Sequence, residues 1–145
     1  MTIADIPAVM PMEHELFADQ AWSSEMLADE IADTQSRMYL VACDGECIVG
    51  YAGLAAYDIE AHILTVGTDS QYQRQGIGRA LLRALLAEAD RRKIERVILE
   101  VRVDNEPAIS LYESESFAAV SIRKKYYQPG GQDAVVMIRG ATYAI

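Results

Sequence analysis

Apolar residues recur every three or four positions at Ile6, Val9, Met12, Leu16 and Phe17, so a first helix is expected from an Asp5 cap to about Asp19. Pro11 lies inside it and is expected to kink or split it, because proline removes a backbone donor and crowds the preceding turn. Ser23 is the next expected N-cap, with Trp22 and Leu27 at the two positions of a hydrophobic staple and a helix running to about Thr34. Then the period shortens. YLVAC (39–43) and CIVGYAGLAAY (47–57) read as strands around an Asp44-Gly45-Glu46 turn, and AHILTVG (61–67) as a third. The helical period returns over 76–92, with Ile77, Leu81, Leu85 and Ala89 on one face and Arg83 and Glu88 elsewhere. IERVILEVR (94–102) is nearly continuously apolar and is expected to be a buried strand. Asn105 caps a short helix over 106–115, where Pro107 is tolerated in the first turn. Residues 117–127 and 133–139 form a last strand pair around Pro129-Gly130-Gly131. Helices, strands, helix, strand, helix, strands is the order of an α/β domain with a mixed sheet. No repeat or linker interrupts the pattern, so residues 1–145 are expected to form a single domain.

Composition narrows the function classes. About half of the 145 residues are hydrophobic and a quarter charged, enough for one ordinary core. No apolar run approaches the roughly 20 residues that span a bilayer. The opening MTIADIPAVMPMEHE has early acids and no long apolar stretch, so it does not read as a signal peptide, and a cytoplasmic location is expected. Cys43 and Cys47 are too few for a disulfide framework and are expected to be reduced, structural thiols. His14 and His62 lie far apart with no ligand spacing, so no metal is expected. A formal net charge of -9 argues against nucleic acid and favours a cationic or amine-bearing partner. No membrane partner is expected either.

The stretch QYQRQGIGRALLRALLAEA (71–89) opens a strong helix on two glycines, Gly76 and Gly78, with Gln73, Arg74 and Gln75 before them. Strand, glycines, helix is an arrangement that offers backbone N–H groups and the positive end of a helix dipole to a phosphate. The plain structural alternative is a tight turn with no ligand. A P-loop needs Lys-Ser or Lys-Thr after its last glycine, and here Arg79-Ala80 follow Gly78. A dinucleotide fingerprint needs glycine or alanine three residues on, and here that residue is Leu81.

The remaining pattern, Gln73-x-x-Gly76-x-Gly78, resembles the coenzyme A pyrophosphate loop of the GNAT acetyltransferases. LEVRVDNEPAISLYESESF (99–117) is similar to the strand and short helix that complete the acetyl-CoA cleft of that family. RKKYYQPGGQDAVVM (123–137) resembles the C-terminal signature of its RimI branch, the ribosomal-protein N-terminal alanine acetyltransferases, and AWS (21–23) falls where that branch has Trp-Ser. The matches span roughly residues 20 to 139. They imply a GNAT fold, a mixed, mostly antiparallel sheet with flanking helices. They also imply acetyl-CoA as cosubstrate, with its pyrophosphate on the backbone of Arg74, Gln75, Gly76, Ile77, Gly78 and Arg79. Pantetheine is expected along Val66, Gly67 and Thr68, with a further coenzyme A contact from Asn105, which is also read as an N-cap. The acceptor entrance is expected at Trp22, Tyr126 and Tyr127. Two departures stand out: Asp69-Ser70 replaces the family's Asp-Pro, and Ser116 replaces a glycine before Phe117. Serine there is expected to be strained by ~1 kcal/mol if the turn is left-handed. Since the chain opens almost directly on a helix, the family's first strand is expected to be missing or short.

Acetyl transfer to an amine needs a neutral amine and a proton for the departing thiolate. Glu100 matches the family's general base, acting through water, and Tyr112 its general acid. The structural alternatives are a paired carboxylate, with Arg102 as partner, and a tyrosine that packs the short helix onto the sheet. An α-amine, with a pKa of about 7.7–8, suits such a base better than a lysine at about 10.4. Three function classes follow. The first is N-terminal acetylation, on alanine of a small-subunit ribosomal protein with a basic tail. The second is acetylation of a small-molecule amine or protein lysine. The third is a non-catalytic acyl-CoA-binding module, which the joint presence of Glu100 and Tyr112 disfavours.

Overall fold

The hydrophobic pattern becomes helices and strands whose ends lie within about two residues of those expected. The computed structural model describes residues 1–127 and 131–140. Helix α1 (Ile6–Phe17) runs through Pro11 without a break. Proline there removes only its own bond to the Pro7 carbonyl, and burial of Ile6, Val9 and Met12 holds the helix in place. A 3₁₀ turn (Ala18–Gln20) leads to α2 (Ser24–Ala32), whose N-cap Ser23 accepts from the Met26 N–H. Strands β1 (Arg37–Asp44) and β2 (Cys47–Tyr57) form the hairpin, and β3 (Glu60–Thr68) follows. After α3 (Ile77–Arg91) come β4 (Arg96–Arg102), α4 (Glu106–Ser114), β5 (Ala118–Tyr127) and β6 (Gln132–Arg139). The expected turn residues Pro129 and Gly130 lie outside the described residues.

The six strands form one sheet in the order β1-β2-β3-β4-β6-β5. Every pairing is antiparallel except β3 with β4. Residues Ile3–Asp5 form a 3₁₀ turn rather than a strand, as the early helix signal implies. On one face, Leu81, Leu82, Leu85, Leu86 and Ala89 of α3 pack with Tyr112 and Phe117 against Ala52, Leu54, Leu99 and Met137. Each such fully buried leucine contributes roughly 1.5–3 kcal/mol. On the other face, α1 and α2 bury Ile6, Val9, Met12 and Leu27 against Tyr39 and Tyr51. No helix among the described residues is long and apolar enough to cross a membrane.

One expectation is corrected here. Cys43 and Cys47 are free thiols, but both are exposed at the hairpin end and not packed as structural residues. The hairpin register pairs Cys43 with Ile48 and Asp44 with Cys47, which puts both thiols at the tip and away from the core.

Candidate active site

The site begins where two parallel strands part. Strands β3 and β4 pair only over 60–62 and 96–98, and beyond that point they separate. The register of β2 against β3 shifts between Gly53 and Leu54, so Leu64 is an extra residue on β3 at the point of divergence. The gap is an open cleft of about 850 Å³. Backbone groups of β3 beyond residue 62 have no β4 partner, so the strand edge is free to bond an amide-bearing ligand as an added strand.

Five parts of the chain bring side chains to this cleft. Glu100 comes from β4, Tyr112 and Asn105 from α4 and its cap, Val66 from β3, Trp22 from the segment between α1 and α2, and Tyr126 from β5. Glu100 is partly buried, with Arg123 Nη1 at 3.4 Å from its Oε1. Its neighbour is therefore Arg123, across the sheet, and not Arg102, which instead binds Asp104. Arg123 also stacks over the Tyr126 ring, 4.2 Å from its centroid. Tyr126 is 39% exposed. Tyr127 pairs with Gln132 along the backbone, and its side chain lies outside the described residues.

Tyr112 owes its position to the end of α4. The Phe117 N–H reaches back to the Tyr112 carbonyl at 3.0 Å and the Ser116 N–H to that of Glu113 at 3.2 Å, the two bonds of a Schellman motif. The hydrophobic contact that accompanies this motif is the edge-on packing of Phe117 against Tyr112, ring centroids 5.8 Å apart. Ser116 occupies the left-handed position at φ 74°, so the expected strain is real. Burial alone pushes the Tyr112 phenol up to about 12, which keeps it protonated at any physiological pH.

At the far end of β3, Asp69 caps a 3₁₀ turn (Ser70–Tyr72), so the turn forms with serine at its first position. The Gln73 amide donates to the Thr68 carbonyl at 3.3 Å and holds the following loop against the strand. Gly76 is the N-cap of α3 at φ 85°, a conformation that favours glycine. Ala80 is bonded to the Gly76 carbonyl, so the N–H groups of residues 77–79 are the unpaired donors of the first turn. Arg74 and Gln75 are exposed beside them. The Arg79 guanidinium points away to Ser114 Oγ and Glu115, joining α3 to the end of α4 and leaving its backbone N–H to the loop. Asn105 Oδ1 accepts from the Ala108 N–H at 3.3 Å, so it serves as a cap while lining the cleft. Among the described residues no group of three or more His, Cys, Asp or Glu is placed to hold a metal ion. The left-handed cradle, the unpaired helix donors and the free strand edge fit a phosphate-bearing, amide-bearing thioester.

Residues 7–117 match the acetyltransferase (GNAT) family. The chain belongs to the GNAT acetyltransferase family. It is 38% identical over 146 residues to the N-alpha-acetyltransferase RimI of Mycobacterium tuberculosis, covering 96% of this chain and 89% of that protein. It is 35% identical over 135 residues to the ribosomal protein bS18-alanine N-acetyltransferase of Escherichia coli, covering 92% and 89%. The crystal structure of the ribosomal-protein-S18-alanine N-acetyltransferase from E. coli superposes with a TM-score of 0.86 at 31% identity, over 100% of this chain and 95% of that one. The chain thus has the GNAT fold, and the enzyme class is that of an acetyl-CoA-dependent N-acetyltransferase.

Sequence reasoning missed Glu13, which also lines the cleft. Its Oε2 accepts from the Trp22 N–H at 2.9 Å, and its Oε1 accepts from the Tyr51 hydroxyl. Burial first, and then that bond, push the Tyr51 phenol well above its ordinary value, so Tyr51 remains the donor. The available signal was positional: Glu13 stands four residues after Val9 and seven after Ile6, on the apolar face of α1.

Proposed function

We propose that this enzyme acetylates the α-amino group of a protein N-terminus, alanine on a small-subunit ribosomal protein with a basic tail, in the cytoplasm. The observation that carries the proposal is that Glu100, Tyr112, Trp22 and Tyr126 meet in one cleft between the separated strands. The activities of the relatives at 35% and 38% identity support the choice of acceptor. The net charge of -9 suits a cationic tail, through steering that weakens with salt.

Acetyl-CoA supplies an activated acyl group and a thiol leaving group. Residues 74–79 hold its pyrophosphate on backbone N–H groups, Asn105 adds a contact, and Val66, Gly67 and Thr68 pair with its amides. Glu100 takes the ammonium proton through water, which costs little for an α-amine because its pKa of about 7.7–8 lies near neutrality. A lysine at about 10.4 would cost ~4 kcal/mol at pH 7.4. The amine then attacks the acyl carbon; as the C–S bond breaks, Tyr112 gives its proton to the departing sulfur, and the proton lost by the new amide nitrogen restores the phenol. Burial raises the phenol to about 12, so Tyr112 still carries its proton when the sulfur departs. Trp22, Tyr126 and Tyr127 line the acceptor entrance.

A free-thiol release assay tests this. It compares an Ala-starting basic peptide, the same peptide with a blocked N-terminus, and a free polyamine. The open peptide should release thiol at least tenfold faster than either control. Equal rates for the polyamine would replace this reading with acetylation of small amines.

A further inference from the structure

Glu13 is the one charged or polar residue that is buried among the described residues, at 4% exposure. The proposed chemistry gives it no role. Both of its donors are neutral, a phenol and a peptide N–H. An acidic side chain buried on neutral donors alone adds little stability compared with an apolar one of similar volume. Its geometry has a different consequence. The connector between α1 and α2 carries Gln20 and Trp22 into the cleft. It begins at Ala18, whose φ of 44° and ψ of -114° are unfavourable for a residue with a Cβ. The connector is closed by the bond from Trp22 N–H to Glu13 Oε2, nine residues back in the chain. Through its other oxygen Glu13 is fixed to Tyr51 on β2. The Tyr51 ring in turn lies against Gly67 of β3, where an added Cβ would stand 2.8 Å from Tyr51 Cε1. Glu13 therefore links the Trp22 wall of the cleft to the strand end on which the thioester is proposed to lie.

We infer that Glu13 is a positioning residue for the acceptor: it holds the Trp22 segment at a fixed distance from β3 and so sets acceptor affinity without touching the reacting atoms. This rests on the reading of Trp22 as part of the acceptor entrance. Glu13→Leu fills the same space and removes both acceptors. It should raise the acceptor-peptide KM about tenfold, or ~1.4 kcal/mol, with kcat and acetyl-CoA affinity within twofold of the parent. Glu13→Gln should restore KM to within threefold, because its carbonyl can keep the Trp22 bond while the Tyr51 hydroxyl turns to accept. Glu13→Asp, one methylene shorter, loses its reach to Trp22 and carries the same expectation as Glu13→Leu if that variant does not fold. Trp22 is the only tryptophan, so its fluorescence reports this connector alone. Anisotropy should fall, and acrylamide quenching rise, in Glu13→Leu and Glu13→Asp but not in Glu13→Gln. An unchanged acceptor KM in Glu13→Leu and Glu13→Asp, while Trp22→Ala raises it, overturns the role of Glu13. An unchanged KM in Trp22→Ala overturns the reading of the acceptor entrance instead.

Discussion

Replacing Ser116 with glycine should stabilise the protein. Ser116 stands at φ 74° between α4 and β5, in the Schellman motif that fixes Tyr112 against Phe117. A left-handed residue with a Cβ is strained by about 1–2 kcal/mol. Glycine removes that strain but adds freedom to the unfolded chain, which costs about 0.4–1 kcal/mol. The net gain is about 0.5–1 kcal/mol. Unfolding entropy of about 2.1 cal/mol/K per residue gives ~0.3 kcal/mol/K for a chain of this length, so Tm should rise by about 2–3 °C. Scanning calorimetry of Ser116→Gly beside the parent, both without ligand, measures this shift. Acetyl-CoA affinity should stay within twofold, since the two motif bonds are made by backbone atoms that the substitution leaves in place. A lower or unchanged Tm would refute the strain argument.

Three further outcomes follow from named contacts. In Gly78→Val, a Cβ meets only Thr68 Oγ1 at 3.7 Å and Leu111 Cδ2 at 3.8 Å, so the fold should survive while the added methyls cover the helix donors; calorimetry should find acetyl-CoA affinity reduced at least ~100-fold, and unchanged affinity would refute the phosphate site. Tyr112→Phe should lower kcat by about 10²-fold with acetyl-CoA still bound, and Glu100→Gln should lose most activity at low pH, where the amine is charged; full activity in both variants removes the mechanism. Arg91, and then Arg92, hold the Glu88 carboxyl down to about 2 from its ordinary 4.5, so the unfolded chain takes up this proton first. Its contribution to stability is complete above pH 4.5 and is lost as the pH falls toward 2, and Glu88→Gln should flatten that part of a Tm-against-pH series; an identical slope would contradict the pairing.

Local signals carried most of the architecture. Ser23 and Asn105 act as the caps their types predict, and the switch from a short to a helical period marks α3 at both ends. The glycine-opened helix was legible because Gly76 must adopt a left-handed conformation that few other residues tolerate. Long-range relations were not legible. Nothing in the local pattern says that β3 and β4 pair for three residues and then part, which is what opens the cleft. Arg102 is nearer to Glu100 in sequence, yet Arg123 is its neighbour in space, since β6 lies between β4 and β5 and the side chain reaches across it. Pro11 reads as a helix breaker, but a single lost bond inside the helix is outweighed by the packing of Val9 and Met12. The hairpin thiols depart from expectation because cysteine is buried on average and these two fall at a strand tip.

Transfer to an α-amine is tested by mapping the acetylated nitrogen. An Ala-starting basic peptide that contains internal lysines, and its N-terminally blocked twin, are incubated with enzyme and acetyl-CoA, and the products are sequenced by tandem mass spectrometry. A single added acetyl group is expected on the N-terminal fragment of the open peptide, with the blocked twin unmodified. Acetyl on lysine at equal yield in both peptides would contradict transfer to the α-amine.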